Sequence, residues 1–130
     1  MNGVATYAWV AAGGALGSMA RFWMGAWLAG LVGARFPWGT LLINMIGAGV
    51  IGLVAGLTLE PARLGWHPDF RIFLMVGICG GFTTFSAFSL QMLELLQLGQ
   101  AAAAAAYSVV SVMLCLGMVW GGFLMARVSS

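Results

Sequence analysis

The sequence predicts an all-α integral membrane protein of four transmembrane helices, the third broken in its middle. Three observations carry that expectation. The chain of 130 residues is 62% hydrophobic and 6% charged, against roughly a quarter charged in a soluble domain. Its apolar residues gather into four tracts near the length of about 20 residues that crosses a bilayer. The third tract contains GICGGFTTFSAFS, residues 77–89, where adjacent glycines stand beside four hydroxyl side chains and three phenylalanines. The tracts fill the chain, so a single transmembrane domain over 1–130 is expected.

The first tract runs from about Val4 to Leu31 and is interrupted by Arg21. It lacks a positive leading region and continues beyond the apolar length of a signal sequence, so it reads as a retained helix. The second, Leu41 to Leu59, lies between Pro37 and Pro61. The longest connection is EPARLGWHPDFR, Glu60 to Arg71, whose prolines and charges end one helix and precede the next. The third tract runs from about Ile72 to Leu98, and Gly99 is a helix cap ahead of the fourth, Ala101 to Met125. The alanine run 101–106 favours helix and allows a close neighbour. With four crossings, Arg63, Arg71 and Arg127 share one face, against Arg35, plus Arg21 if the first helix is short. That is a weak positive-inside bias, and a chain inserting both ways can pair as an antiparallel homodimer.

Several function classes drop out. Five scattered arginines, three acids and a net charge of +2 do not make the basic patch that nucleic acid requires. Cys79 and Cys115 lie in apolar tracts without a CxxC partner and read as small buried residues. His67, the single histidine, lies in a loop, which removes paired axial haem ligation within one chain. There is no nucleophile–base pair, no paired carboxylates and no phosphate-cradling loop, so an enzyme is not expected.

The polar residues inside the tracts are the candidates for function. Asn44 follows Thr40 by one turn and precedes Gly47, Gly49 and Gly52. An amide at bilayer depth must find partners. Either it bonds a neighbouring helix beside a glycine-rich face, or its NH2 donates to something that passes. In the third tract, Gly80 and Gly81 each weaken helix by about 1 kcal/mol relative to alanine, and the β-branched Thr83 and Thr84 do not compensate. An unwound turn is expected there. Irregular backbone at membrane depth survives only where protein buries it or where it lines a cavity, and its freed carbonyls need donors or a cation. The bland alternative is a close-packed glycine crossing.

Phe85 and Phe88 are spaced i, i+3 with Phe82 a further turn back, a pattern that serves core or lipid contact as readily as function. Aromatic ring edges carry positive potential, so with the interleaved hydroxyls of Thr84 and Ser86 they can line an anion's path without trapping it. Tyr107, Ser111 and Cys115 recur every four residues as a weakly polar stripe, either packing glue or a face toward water or permeant. Gln91, Glu94 and Gln97 extend a polar line to the end of the third tract, as solvated or vestibule residues rather than proton carriers. Arg21 either reaches the headgroups or ties down nearby carbonyls.

These segments together resemble the Fluc (CrcB-type) family of fluoride channels: GGALGSMAR at 13–21, PWGTLLINMIGAGVIG at 37–52, GICGGFTTFSAFS at 77–89, and the tyrosine–serine stripe. The resemblance covers essentially the whole chain. It implies a dual-topology antiparallel homodimer in the plasma membrane with two fluoride pathways, lined by Asn44, Phe85, Phe88, Tyr107, Ser111 and Cys115. It also implies a structural sodium ion at the dimer centre, held by backbone carbonyls of Gly80 and Thr83, and passive export of fluoride. Three positions depart from the commoner pattern: Ala87 where a hydroxyl is frequent, Gln91 where glutamate is frequent, and Cys115 where serine is frequent. A small multidrug transporter, the nearest rival, works through an acid in its first helix, and this tract has none. A structural or assembly subunit would explain the small-residue faces but not the broken helix with donors after it.

Overall fold

The computed structural model describes residues 3–59 and 65–128. Within these, α1 spans Gly3–Val32, α2 Trp38–Thr58 and α6 Ala101–Val128. Between α2 and α6 the third tract is built in pieces: α3 (Pro68–Ile72), a π-helical segment (Phe73–Cys79), α4 (Gly80–Phe82) and α5 (Phe85–Gln97). Among the described residues, three runs are long and apolar enough to cross a membrane: Trp38–Thr58, Pro68–Gln97 and Ala101–Val128. At 30 residues α1 has the length, but its glycines, indoles and Arg21 lower its hydropathy, and it is not among the three.

The helix ends follow local chemistry. Gly33, at φ +75, ends α1 in the left-handed region. Gly99 caps α5 at φ +72, with Gln100 N–H donating to Leu95 O at 2.9 Å and Gly99 N–H to Leu96 O at 3.0 Å, the paired bonds of a Schellman turn. Of the expected connection Glu60 to Arg71, residues 60–64 lie outside the described residues, and with them Arg63. The remainder is not all loop. His67 caps α3, its ring accepting from Asp69 N–H, and Pro68 takes the first helical position, where its missing N–H is not needed. The Asp69 carboxylate, buried, also accepts from Thr6 Oγ1 at 3.1 Å and so ties α3 to α1.

Glycine faces set how close the helices come. A Cβ on Gly52 would strike the carbonyl of Val119, and one on Gly56 would stand 2.7 Å from Phe123 O, so α2 and α6 cross backbone against backbone. Similarly, a Cβ on Gly77 would stand 2.8 Å from Gly13 Cα, and one on Gly81 would stand 2.5 Å from Gly14 O. These glycines press the third tract onto α1. Gly52→Val is therefore expected to prise α2 from α6 and cost about 3 kcal/mol, as overpacking at a sealed contact does; thermal unfolding of the purified protein measures it.

The break falls elsewhere than the glycine pair suggests. Gly80 and Gly81 are helical, and the backbone opens at Thr83 (φ −83, ψ 156) and Thr84 (φ −150, ψ 119). The reason is physical: Gly81 is spent on contact with α1, whereas β-branched threonines suit extended backbone and a threonine suits the N-cap of the next helix. Thr84 Oγ1 accepts from Ala87 N–H at 3.2 Å and starts α5.

Candidate functional site

The site grows from the break. A continuous helix would send the N–H of Thr84 back to the carbonyl of Gly80 and that of Ala87 to Thr83. Here Thr84 N–H donates to Asn44 Oδ1 at 2.8 Å, and Ala87 N–H to the Thr84 hydroxyl. The carbonyls of Gly80 and Thr83 thus lose their helical donors. The carbonyl of Gly81 has replacements from α1: Arg21 Nε at 3.1 Å and Ser18 Oγ at 3.4 Å. Thr83 turns its hydroxyl back onto Cys79 O at 2.8 Å and rests its methyl against Gly47 of α2.

Asn44 clamps this opening. Besides accepting from Thr84 N–H, it donates Nδ2 to Thr84 O at 3.1 Å. Only one orientation of the amide satisfies both bonds. Carrying two N–H donors, it keeps one beyond the clamp. The side chain thus bonds a neighbouring element and retains one donor.

Two grooves meet at the break. One, of about 370 Å³, is lined by Asn44, Gly80, Thr83, Thr84, Phe85, Phe88, Ser111 and Cys115, with no charged residue on its walls. The other, of about 480 Å³, is lined by Arg21, Arg35, Thr40, Thr84, Ala87, Gln91 and Glu94 among apolar neighbours. Thr84 and its helix α5 stand between them, so the two share a wall at the broken turn.

Phe85 and Phe88, on one face by spacing, part company in packing. Phe88 is buried beneath α6, its ring centroid 5.0 Å from that of Tyr107, while Phe85 is 77% exposed. Their own centroids are 5.4 Å apart. Ser86 is exposed, with its hydroxyl 3.3 Å from that of Thr84. On α6, Tyr107 is fully buried, Ser111 is 6% exposed and Cys115 is half-buried. Ser111 lines the uncharged groove, and its buried Oγ finds no hydrogen-bond partner among the described residues.

Behind the groove runs a row of polar groups from three elements. Tyr107 donates its phenol hydrogen to Gln91 Oε1 at 2.9 Å, and Gln91 Nε2 donates to Thr40 Oγ1 at 2.8 Å. Phe36 closes over Tyr107 edge to face at 5.3 Å. Ser18, which the sequence did not single out, joins the site on the Gly81 carbonyl, while Gly47 lies beneath Thr83 and Arg35 and Glu94 line the second groove. Ser18 stands one turn before Arg21 on α1, and that spacing is the signal that could have found it.

Comparison with known proteins agrees along almost the whole chain. Residues 8–123 match the family model of CrcB-like protein, Camphor Resistance (CrcB). A protein of Rhodospirillum rubrum named fluoride-specific ion channel FluC is 54% identical over 117 residues, 90% of this chain and 91% of that one. Proteins of the same name from Paramagnetospirillum magneticum and Methylocella silvestris are 49% identical over 123 residues and 45% identical over 120; the matches span 95% and 92% of this chain, and 96% and 92% of theirs. With the family model and relatives of this identity spanning nearly its full length, the chain belongs to the CrcB-like family.

Proposed function

We propose that this chain is a fluoride-selective ion channel, a passive conductor rather than an enzyme, working in the cell membrane as an antiparallel dual-topology homodimer with one pathway for each copy. The observation that carries this reading is the uncharged groove at the Asn44-clamped break, where weak donors and ring edges converge without a basic side chain. The relatives' shared name supplies the ion. With α1 as the first of four crossings, that groove would lie at bilayer depth, and the large exposed apolar surface, Phe85 included, suits lipid and the second copy.

The chemistry follows from desolvation. A small anion taken alone into low dielectric loses tens of kcal/mol of solvation, so its water must be replaced piecemeal. The spare Asn44 N–H, the unmet Ser111 hydroxyl, the Cys115 thiol, the hydroxyls of Thr84 and Ser86 and the edges of Phe85 and Phe88 offer weak replacements. None is a full charge that would hold the ion, and conduction needs sites that release as well as bind. Tyr107 backs the route from beneath. Arg21 and Arg35 set a positive field in the second groove, which focuses anions toward the break.

A structural sodium ion fits the residues present. Gly80 and Thr83 carry carbonyls that have lost their helical donors, at the C-terminal end of a half-helix, where such oxygens gather around a monovalent cation. Each chain would contribute these two, and an antiparallel copy two more. The ion would supply positive charge against unpaired carbonyls at the dimer centre.

Ser111 gives a test that separates folding from transport. Removing an unmet buried hydroxyl relieves a desolvation penalty, so Ser111→Ala is expected to raise thermal stability by about 1 kcal/mol while slowing fluoride efflux. A variant that is less stable, or as fast as the native chain, would oppose a donor role. The function itself is tested by reconstituting the chain in liposomes loaded with fluoride and adding a fluoride-selective electrode outside. Efflux above protein-free vesicles is expected, and its absence would defeat the reading.

A further inference from the structure

We propose that Gly47 is a positioning residue: its missing side chain is the seat of the Thr83 methyl, and that seat sets where the broken turn stands in the anion groove. This rests on the channel reading above and concerns what shapes the same site. Gly47 stands one turn after Asn44 on α2, so the two share a face, and Gly47 and Thr83 both line the uncharged groove. Asn44 holds the backbone of Thr84, and Gly47 receives the side chain of Thr83. Each extended residue of the break thus meets α2 at its own point, one through hydrogen bonds and the other through shape.

Thr83 has little freedom to settle differently. Its N–H and its hydroxyl both donate to Cys79 O, at 3.0 and 2.8 Å. A β-branched side chain is stiff about χ1, and with the hydroxyl engaged the methyl lies against Gly47. A Cβ on Gly47 would overlap that methyl and stand 3.3 Å from Phe82 Cδ1. Phe82 can yield little, because it is buried in a cluster with Leu28 and Ile43. Turning Thr83 about χ1 to make room would take its hydroxyl off Cys79 O. A side chain at position 47 therefore pushes Thr83 away from α2. Thr84 follows directly in the chain, so the same push strains its two bonds to Asn44.

Gly47 differs in this from Gly52 further along α2. A Cβ on Gly52 would meet the backbone of Val119, so that glycine sets the spacing of two helices. At Gly47 the obstacle is a single side-chain methyl, and a methyl can be moved. Gly47→Ala combined with Thr83→Ser carries one methyl from the third tract to α2. Serine keeps a hydroxyl for Cys79 O, and the Cβ of residue 83 lies 3.7 Å from a Cβ at position 47, an ordinary contact.

The experiment measures fluoride efflux from proteoliposomes, with protein-free vesicles subtracted and rates normalised to folded protein, for the native chain, the two single variants and the pair. Gly47→Ala is expected to lose most of its efflux because Thr83 is displaced. Thr83→Ser is expected to be slower than the native chain because the seat is left empty. The pair is expected to conduct faster than Gly47→Ala, a rescue that two independent losses cannot give, since those would accumulate. With a conducting native chain, a Gly47→Ala as fast as the native, or a pair no faster than Gly47→Ala, overturns this inference alone. A native chain silent to fluoride overturns the channel reading and this inference with it. Should Gly47→Ala fail to fold, the pair decides: it is expected to fold and conduct, and an unfolded or silent pair overturns the inference.

Discussion

Replacing Asn44 with alanine is expected to bring fluoride efflux down to that of protein-free vesicles. The Asn44 side chain makes both hydrogen bonds that hold Thr84 in extended backbone, at 2.8 and 3.1 Å. Losing them leaves an N–H and a C=O unmet at bilayer depth, at about 1–3 kcal/mol each. The chain can recover part of that by returning Thr84 N–H to Gly80 O, which straightens the third tract and closes the groove. The predicted result is a protein that stays folded, loses about 2–5 kcal/mol of stability and no longer conducts. Thermal unfolding and electrode traces on the same preparation check it, and native-like efflux from Asn44→Ala would show that the clamp is dispensable.

The second large effect is expected from Phe85→Ile combined with Phe88→Ile. Isoleucine keeps the apolar bulk and so most of the burial of Phe88 against Tyr107, Leu41 and Leu95. What it removes is the ring quadrupole, whose positive edge can meet an anion. Stability should fall modestly, within the range of a volume-conserving core swap of under about 1.5 kcal/mol, because Phe85 is largely exposed and contributes little to the packing of one chain. Efflux should fall to background. Retained efflux in the double variant would mean that the rings serve packing only.

The all-helical build with its apolar spans was legible in the sequence because membrane spans leave a coarse signal: apolar tracts of about 20 residues bounded by Pro37, Pro61 and Gly99. The site was legible in parts. GGFTTF announced a broken helix, but propensity alone did not say which of Gly80, Gly81, Thr83 and Thr84 opens it. Tertiary contact decides, since Gly81 is held against Gly14 and the opening is fixed by Asn44 from 40 residues away. No local pattern reports such a partner. Spacing likewise put Phe85 and Phe88 on one face, yet could not tell that α6 covers only the second. The row of Tyr107, Gln91 and Thr40 joins positions 16 and 51 residues apart, and became visible only when three helices were packed.

The departures from the commoner family pattern also gain physical content. Ala87 lines the second groove beside Thr84, and its backbone N–H caps α5 through the threonine hydroxyl, so the absent side-chain hydroxyl leaves the cap intact. Cys115 remains on the uncharged groove wall one turn beyond Ser111, where a thiol is the weaker donor.

The central claim is that uncharged donors gathered at the Thr83–Thr84 opening conduct fluoride by standing in for its water. The most direct measurement loads one set of vesicles carrying the native chain with fluoride and a matched set with chloride, and follows both with ion-selective electrodes under the same voltage. Fluoride should leave and chloride should stay even though chloride is cheaper to dehydrate, because donors and ring edges that close around a small anion leave no room for a larger one. Equal release of the two ions, or retention of both, would contradict the account.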